Sequence, residues 1–478
     1  MVKELYEKEV AAMSHKLYRY RISKFELLAP ELEGPVDMVP GSISEMYIGK
    51  DYDNNLYPML MIHFVVNPKV KEFIEVRRNE VKFHIALRCE GYDVSGSGSR
   101  TEPVSSETVF DTIFIPVIAS NVPFMDAAIY NMTVNDLQNI AAAGGSVNDL
   151  GGKNMPADVR ERVSYYFYVE RDLVNSKNVV NKVYSNTDIP TICADMLSKN
   201  GFDAILMSPS DNKDPIDQCI IQPQNLLNLF QYLSDIYGMH QTGTLTFFDY
   251  RCVYIMNKTG HPDCVEEGEY PTTIFTVNKT KLSESWLSGT TTCDERKEYY
   301  IFPDPHRVTM HNPAAINDHI MGNNLTALNA KTNAPTHIEG TGEQRGKGNT
   351  RVDNNANANP YMQTQYANDI QEGNITVRMT VFDPYMWALT PNKEFILHYL
   401  DSNIDPNYSG YYRIRKTDFI FNRNGEQLTL TANIYMVKKE PIDDAIKRAI
   451  ETQVVPSPLL VQSTSGGVTG GKGLPGVG

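Results

Sequence analysis

The chain has 478 residues, 44 Lys+Arg against 58 Asp+Glu, a net charge of −14 and 41% hydrophobic residues. That length suits about three domains, or one large enzyme with insertions. The acidic balance speaks against a duplex-DNA binder, which needs a basic face for phosphates, and against a polybasic membrane-surface protein. Charged residues at 21% are too few for general disorder.

The longest nearly continuous apolar run, Tyr57 to Val66, is interrupted by His63 and falls far short of a bilayer span. The opening MVKELYEKEV has no apolar signal segment. A soluble protein made in a cytoplasm, without a membrane anchor, is expected. The six cysteines (Cys89, Cys193, Cys219, Cys252, Cys264 and Cys293) are irregularly spaced and form no CxxC, which points to free thiols in a reducing compartment.

In chain order, alternation predicts a strand over Tyr18–Ile22. Ile43–Ile48 and Tyr57–Val66 follow, joined as a hairpin by the polar cluster Lys50–Asn55. Pro68 opens a predicted helix over Lys69–Asn79. Val81–Arg88 alternates most cleanly, and Thr108–Ala119 returns as a strand. The middle of the chain reads as mixed: a helix at Val134–Ala143, an aromatic strand at Tyr165–Val169, helices at Pro190–Lys199 and Pro223–Tyr237, and a hairpin turning at Asp249-Tyr250-Arg251. The last third is β-rich, with strands at Ser283–Leu287, Ile301-Phe302, Ile375–Phe382, Glu394–Leu400, Tyr411–Phe421 and Gln427–Met436. The final pair is joined at Asn424-Gly425. Gly322–Asp369 is an Asn/Thr/Gly-rich connection of the kind that is disordered or ordered by a partner. A short helix at Pro441–Thr452 precedes a Gly-rich end.

No motif carries catalysis. Gly466-x4-Gly471-Lys472 begins like a phosphate-binding loop, but Gly473 stands where the magnesium-holding hydroxyl belongs. Asp51, Asp53 and Asn55 start like a calcium loop, but Leu56 replaces its glycine and Ile62 its closing glutamate. Cys252, His261, Cys264 and Cys293 are soft donors at scattered spacings, and His306, His311 and His319 lack a helical zinc-protease arrangement. No catalytic residue, cofactor or metal site is therefore assigned. A carboxylate pair for glycoside cleavage leaves no trace in a sequence with 58 acids.

The order of elements carries a resemblance. Tyr57-Pro-Met-Leu-Met-Ile-His-Phe, Ile189-Pro-Thr-Ile-Cys-Ala-Asp-Met-Leu, Asn225–Leu233, Tyr237–Asp249, Leu389-Thr-Pro-Asn-Lys-Glu-Phe and Gly410-Tyr-Tyr-Arg-Ile-Arg-Lys stand in one ordered pattern over residues 15–438. This pattern resembles the baseplate-hub, or tail-hub, family of tailed bacteriophages and related contractile injection systems. The resemblance implies a β-rich α+β fold, with two tail-tube-like β-barrel domains flanking a mixed α+β region. The corresponding division is 1–125 for the first barrel, 126–265 for the mixed domain, 266–440 for the second barrel with the polar loop 322–369, and 441–478 for the tail.

It further implies a structural homotrimer in the virion, assembled in host cytoplasm. Such a hub joins the hexameric tail tube to a central spike, contacts baseplate wedge proteins, adapts six-fold to three-fold symmetry and lets viral DNA pass without specific binding. Beyond Lys438 too little sequence follows for a lytic domain, which favours a non-enzymatic hub over a hub-enzyme fusion. The alternatives are a tail-associated peptidoglycan hydrolase and a hexameric wedge or distal-tail adaptor. The Gly/Ser-rich end is expected to thread against a neighbouring subunit or the spike, through Ser463, Ser465, Gly466, Gly467, Gly471, Lys472, Gly473 and Pro475.

Overall fold

The computed structural model describes residues 17–92, 103–118, 161–240, 242–258, 272–278, 375–401, 403–404 and 408–439, with short stretches between 291 and 353. Strands β1 (Leu17–Leu28), β2 (Ile43–Asp51) and β3 (Met59–Val66) lead to helix α1 (Pro68–Val76). Asn67 caps that helix by accepting from Lys69 N–H, and Pro68 fills its first position, where no amide is needed. Strands β4 (Lys82–Tyr92), β5 (Ser105–Ile118) and β6 (Glu161–Val169) run into α2 (Glu170–Asn175). The middle unit holds β7 (Val179–Thr187), α3 (Ile189–Lys199), β8 (Ile205–Met207), β9 (Ile216–Asn225), α4 (Leu226–Tyr237), β10 (Thr244–Phe248) and β11 (Val253–Asn257). The last described third contributes β12 (Thr272–Asn278), β13 (Glu298–Ile301), β14 (Thr376–Phe382), β15 (Glu394–Asp401), β16 (Gly410–Asn424) and β17 (Gln427–Lys438).

Eight antiparallel strands close into a barrel in the order β1-β4-β5-β6-β3-β2-β16-β17 and back to β1. Residues from both ends of the chain share it: β1 to β6 come from residues 17–169, and β16 and β17 from 410–438. The fold is β-rich α+β, as the resemblance implies. Alternation explains why these segments become barrel walls, because every second side chain must face the interior. Phe25 meets Phe64 edge-on at 5.1 Å and Phe83 in a stack at 5.5 Å, while Phe83 meets Phe167 at 5.1 Å. These rings fill the interior, so the barrel is a packed core rather than a pore. Outside the ring, β14 pairs with β17, and β15, β12 and β13 continue the sheet from β16.

The middle unit has a second core of Ile192, Cys193, Leu197, Leu229, Phe230 and Leu233, formed where α3 and α4 pack against the β7–β9 ribbon. Here the structure corrects the predicted helix at Pro223–Tyr237, which begins at Leu226. β9 pairs with β7 as far as Asn225 opposite Val179, and Pro223 lies in the register shift between Ile221 and Gln224. A proline without an amide fits a bulge, so it ends no strand there. Within the polar connection 322–369, the described segments Leu325–Asn329, Pro335–Ile338 and Asn349–Asp353 form a three-stranded sheet. The helices expected at 134–143 and 441–452, and the strand at 283–287, lie outside the described residues. No helix among the described residues is long and apolar enough to cross a membrane.

Candidate functional site, a plugged barrel mouth

β2 points Met46, Ile48 and then Lys50 into the barrel, so its last inward position is a charge. Lys50 is 1% exposed and donates to Asp249 Oδ2 at 2.6 Å. Asp249 opens the β10–β11 turn of the middle unit, which therefore inserts into the barrel mouth. Its neighbour Tyr250 packs on Phe110 of β5 at 4.6 Å. Arg251 lays its guanidinium 3.6 Å from the centre of the Trp387 ring, and Lys50 Nζ lies 4.5 Å from the same ring. Arg251 also comes within 3.9 Å of Glu107 Oε1, whose other oxygen accepts from Tyr385 O–H at 2.6 Å.

Trp387 arrives on a second plug, the turn Met386–Leu389. Asp383 takes φ +50 before it, and is held there by Arg19 at 2.5 Å and by Leu430 N–H at 3.3 Å. Tyr20 on β1 then joins the plug to the barrel wall: its hydroxyl donates to Pro384 O and accepts from Met386 N–H, both at 2.9 Å.

Burial sets the electrostatics. Desolvation lowers the Lys50 pKa, and Asp249 opposes it. Burial raises Tyr52 and Tyr250 well above the ordinary phenol value. Asp172 on α2 is pushed up to about 6, chiefly by burial, against the pull of Arg171. Lys50, Asp249 and Trp387 are all buried at this mouth. Chemically it is a latch that holds the middle unit in the barrel.

The residues singled out in the sequence fall elsewhere. Asp51 caps its turn by accepting from Asp53 N–H and Asn54 N–H, and Asp53 is gripped by Arg413 and Arg415, so this segment is an anchored hairpin turn. Cys252 is buried. His261, Cys264, His306 and His319 lie outside the described residues, as do Ser463, Ser465, Gly466, Gly467, Gly471, Lys472, Gly473 and Pro475. Among the described residues no His, Cys, Asp and Glu side chains gather as metal donors. The latch was missed because Lys50 reads as one more member of a polar turn. Its parity with Met46 and Ile48 was the available signal.

Residues 33–439 match the family described as Bacteriophage PBS1 gene 109 protein. No curated protein matches the sequence. Among solved structures, the chain is similar to the tail protein from Neisseria meningitidis MC58, at 10% identity and a TM-score of 0.47, over 89% of this chain and 99% of that one. It is similar to the 43 kDa tail protein of prophage MuSo2 from Shewanella oneidensis at 10% identity and TM-score 0.45, over 88% and 100%. For the prophage tail protein gp18 from Listeria monocytogenes EGD-e the values are 8%, 0.37, 90% and 100%.

Proposed function

This chain belongs to the Bacteriophage PBS1 gene 109 protein family, and from that premise we propose that it is a structural, non-enzymatic component of a phage tail, namely the homotrimeric hub of the baseplate. In this reading it resides in the virion after assembly in host cytoplasm. Three copies join the hexameric tail tube to a central spike and contact the wedge proteins, adapting six-fold to three-fold symmetry.

The observation that carries the reading is a closed barrel shared by both chain ends and locked to a middle unit by buried charges, an arrangement that transmits force and position. The barrel's own interior is filled with aromatic rings, so the passage for DNA would lie between copies. A net charge of −14 suits a passage that releases the polymer rather than holding it.

The test is the mass in solution, alone and with the tube and spike proteins of the same phage. A trimer that bridges tube to spike is expected. A chain that stays monomeric in every mixture, or forms six-fold rings, overturns the hub. Activity on host cell wall in a zymogram, lost on mutating clustered acids, would return the hydrolase alternative.

A further inference from the structure

Between the turn at residues 51–56, α4 and β10 lies a cleft of about 500 Å³, within the size range of binding sites. Its walls are half apolar, with Tyr52, Leu56, Leu227 and Leu245 among them, and half polar. Side-chain amides make up much of the polar half: Asn55 on the turn, Gln224 on β9, and Asn228 and Gln231 on α4. Two charges also line the cleft, Asp53 and Lys258. Asp53 is the one carboxylate among the described lining residues, and Arg413 and Arg415 hold it at 2.9 and 2.8 Å.

β10 is the outer strand of its three-stranded sheet, with β11 on one side only. Lys258 N–H donates to Gly243 O at 2.8 Å and Asp249 N–H to Cys252 O at 2.9 Å, so the odd-numbered residues carry the ladder to β11. The even-numbered residues turn their amides and carbonyls the other way. Phe248 N–H shows where that side leads, donating to Leu56 O on the cleft wall at 2.8 Å. Thr244 and Thr246 face the same way, and no backbone group among the described residues meets them. Because Leu56 closes the edge at Phe248, only these two residues of β10 stay open. That is short for an added strand and suits a ligand that carries separate amide groups.

An acetamido group holds one N–H and one C=O trans, as a peptide unit does, and ends in a methyl. It can pair with an open strand edge while the methyl meets an apolar wall. A sugar hydroxyl donates and accepts, and a side-chain amide offers both functions from one group. We propose that this cleft binds a short chain of N-acetylated sugars, with acetamido groups on the Thr244–Thr246 edge and hydroxyls on Asn55, Asn228 and Gln231. Gln231 offers its carbonyl, since its Nε2 donates to Asp235 Oδ1 at 2.7 Å. The apolar C–H faces of the rings lie against the leucines and Tyr52. Cleaving such a chain takes a pair of carboxyl groups. With Asp53 alone and tied to two arginines, the cleft holds the sugar and leaves it intact. Sugar binding does not depend on the number of copies in the assembly.

The probe is chitotetraose, a β-linked tetramer of N-acetylglucosamine, titrated into the full chain and followed by calorimetry and saturation-transfer NMR. Cellotetraose, with the same rings and linkage but no acetamido groups, is the control. Chitotetraose should bind about ten-fold more tightly or better, because cellotetraose leaves the strand edge unpaired. Its acetyl methyls should show the strongest saturation transfer, and the tetramer should be recovered uncut. Asn228→Ala should weaken binding about ten-fold. Thr246→Pro, which removes an outward amide while sparing the ladder to β11, should do the same, and Gln231→Ala replaces it if that chain does not fold. No binding of chitotetraose at millimolar concentration, equal binding of the two sugars, or binding unchanged by the variants overturns the proposal. So does cleavage of the tetramer, or tighter binding of an uncharged N-acetylated tetrapeptide of Thr and Val, which would make the edge a peptide site. The solution mass, read on the same samples, reports separately on the trimeric hub.

Discussion

The barrel and the middle unit reach order by opposite routes. The barrel closes across the length of the chain: Tyr20 stands opposite Leu428, and its hydroxyl bonds Pro384 and Met386. Its walls cannot be completed until residues hundreds of positions apart have met, a topology that folds slowly. The middle unit is local, with α3, α4, β7, β9, β10 and β11 all between residues 179 and 257. It also leaves apolar side chains in water, with Val179 at 69% exposure, Val183 at 54% and Ile220 at 49%. One region thus depends on long-range closure and the other on short-range packing. The Lys50–Asp249 pair joins them.

Breaking that pair should have the largest effect. Lys50→Ala leaves the Asp249 carboxylate buried without its cation, at a cost of about 3–5 kcal/mol. Chemical unfolding should then show the middle unit and the barrel separating into two transitions. The double variant Lys50→Met with Asp249→Leu should recover most of the loss, because the penalty belongs to the stranded charge. A single undisturbed transition in Lys50→Ala would remove the latch.

Asp172 offers a milder lever through pH. Its carboxyl is held at about 6 in the fold against an ordinary 3.8. Below about pH 4 the group is protonated in folded and unfolded chains alike. Between pH 4 and 6 the unfolded chain loses this proton while the fold keeps it, so the group's contribution declines as pH rises. Above pH 6 the full penalty applies, at most about 3 kcal/mol for a shift of about two units. Asp172→Asn should therefore stabilise the protein at pH 8 and flatten the stability profile between pH 4 and 6. A variant as pH-sensitive as the parent over that range would move the effect elsewhere. Tyr20→Phe comes next, with an expected loss of about 1–3 kcal/mol in urea unfolding, since Met386 N–H keeps its burial and loses its acceptor.

What the sequence made legible follows the same division. Period-two alternation marked the strands now spanning 82–92 and 376–382, an apolar stripe marked α4, and Pro190 with Gly201 bracketed α3, because each signal lies within a few residues. Pro223 misled for a local reason, since a helix start and a bulged strand use the same residue for the same missing amide. Barrel closure had no local trace, as nothing near Tyr20 names Leu428. The latch was hidden in the same way: Lys50 and Asp249 each read as a turn residue, and only the fold brings them to 2.6 Å.

The smallest effect should come from the exposed face of the β7–β9 ribbon, where Val183 and Ile220 stand directly opposite each other. Exposed side chains away from such anchors change stability by about 0.5 kcal/mol or less. Val183→Thr with Ile220→Thr keeps β-branching and strand preference and removes apolar surface from water. The isolated chain should unfold as the parent does, in contrast to the losses at Lys50 and Tyr20. A loss above about 1 kcal/mol would mean that the pair supports the ribbon itself, since a cross-strand contact is worth up to that amount. The middle unit would then rely on its outer face as well as on the buried core between α3 and α4, and its locality would be weaker than its topology suggests.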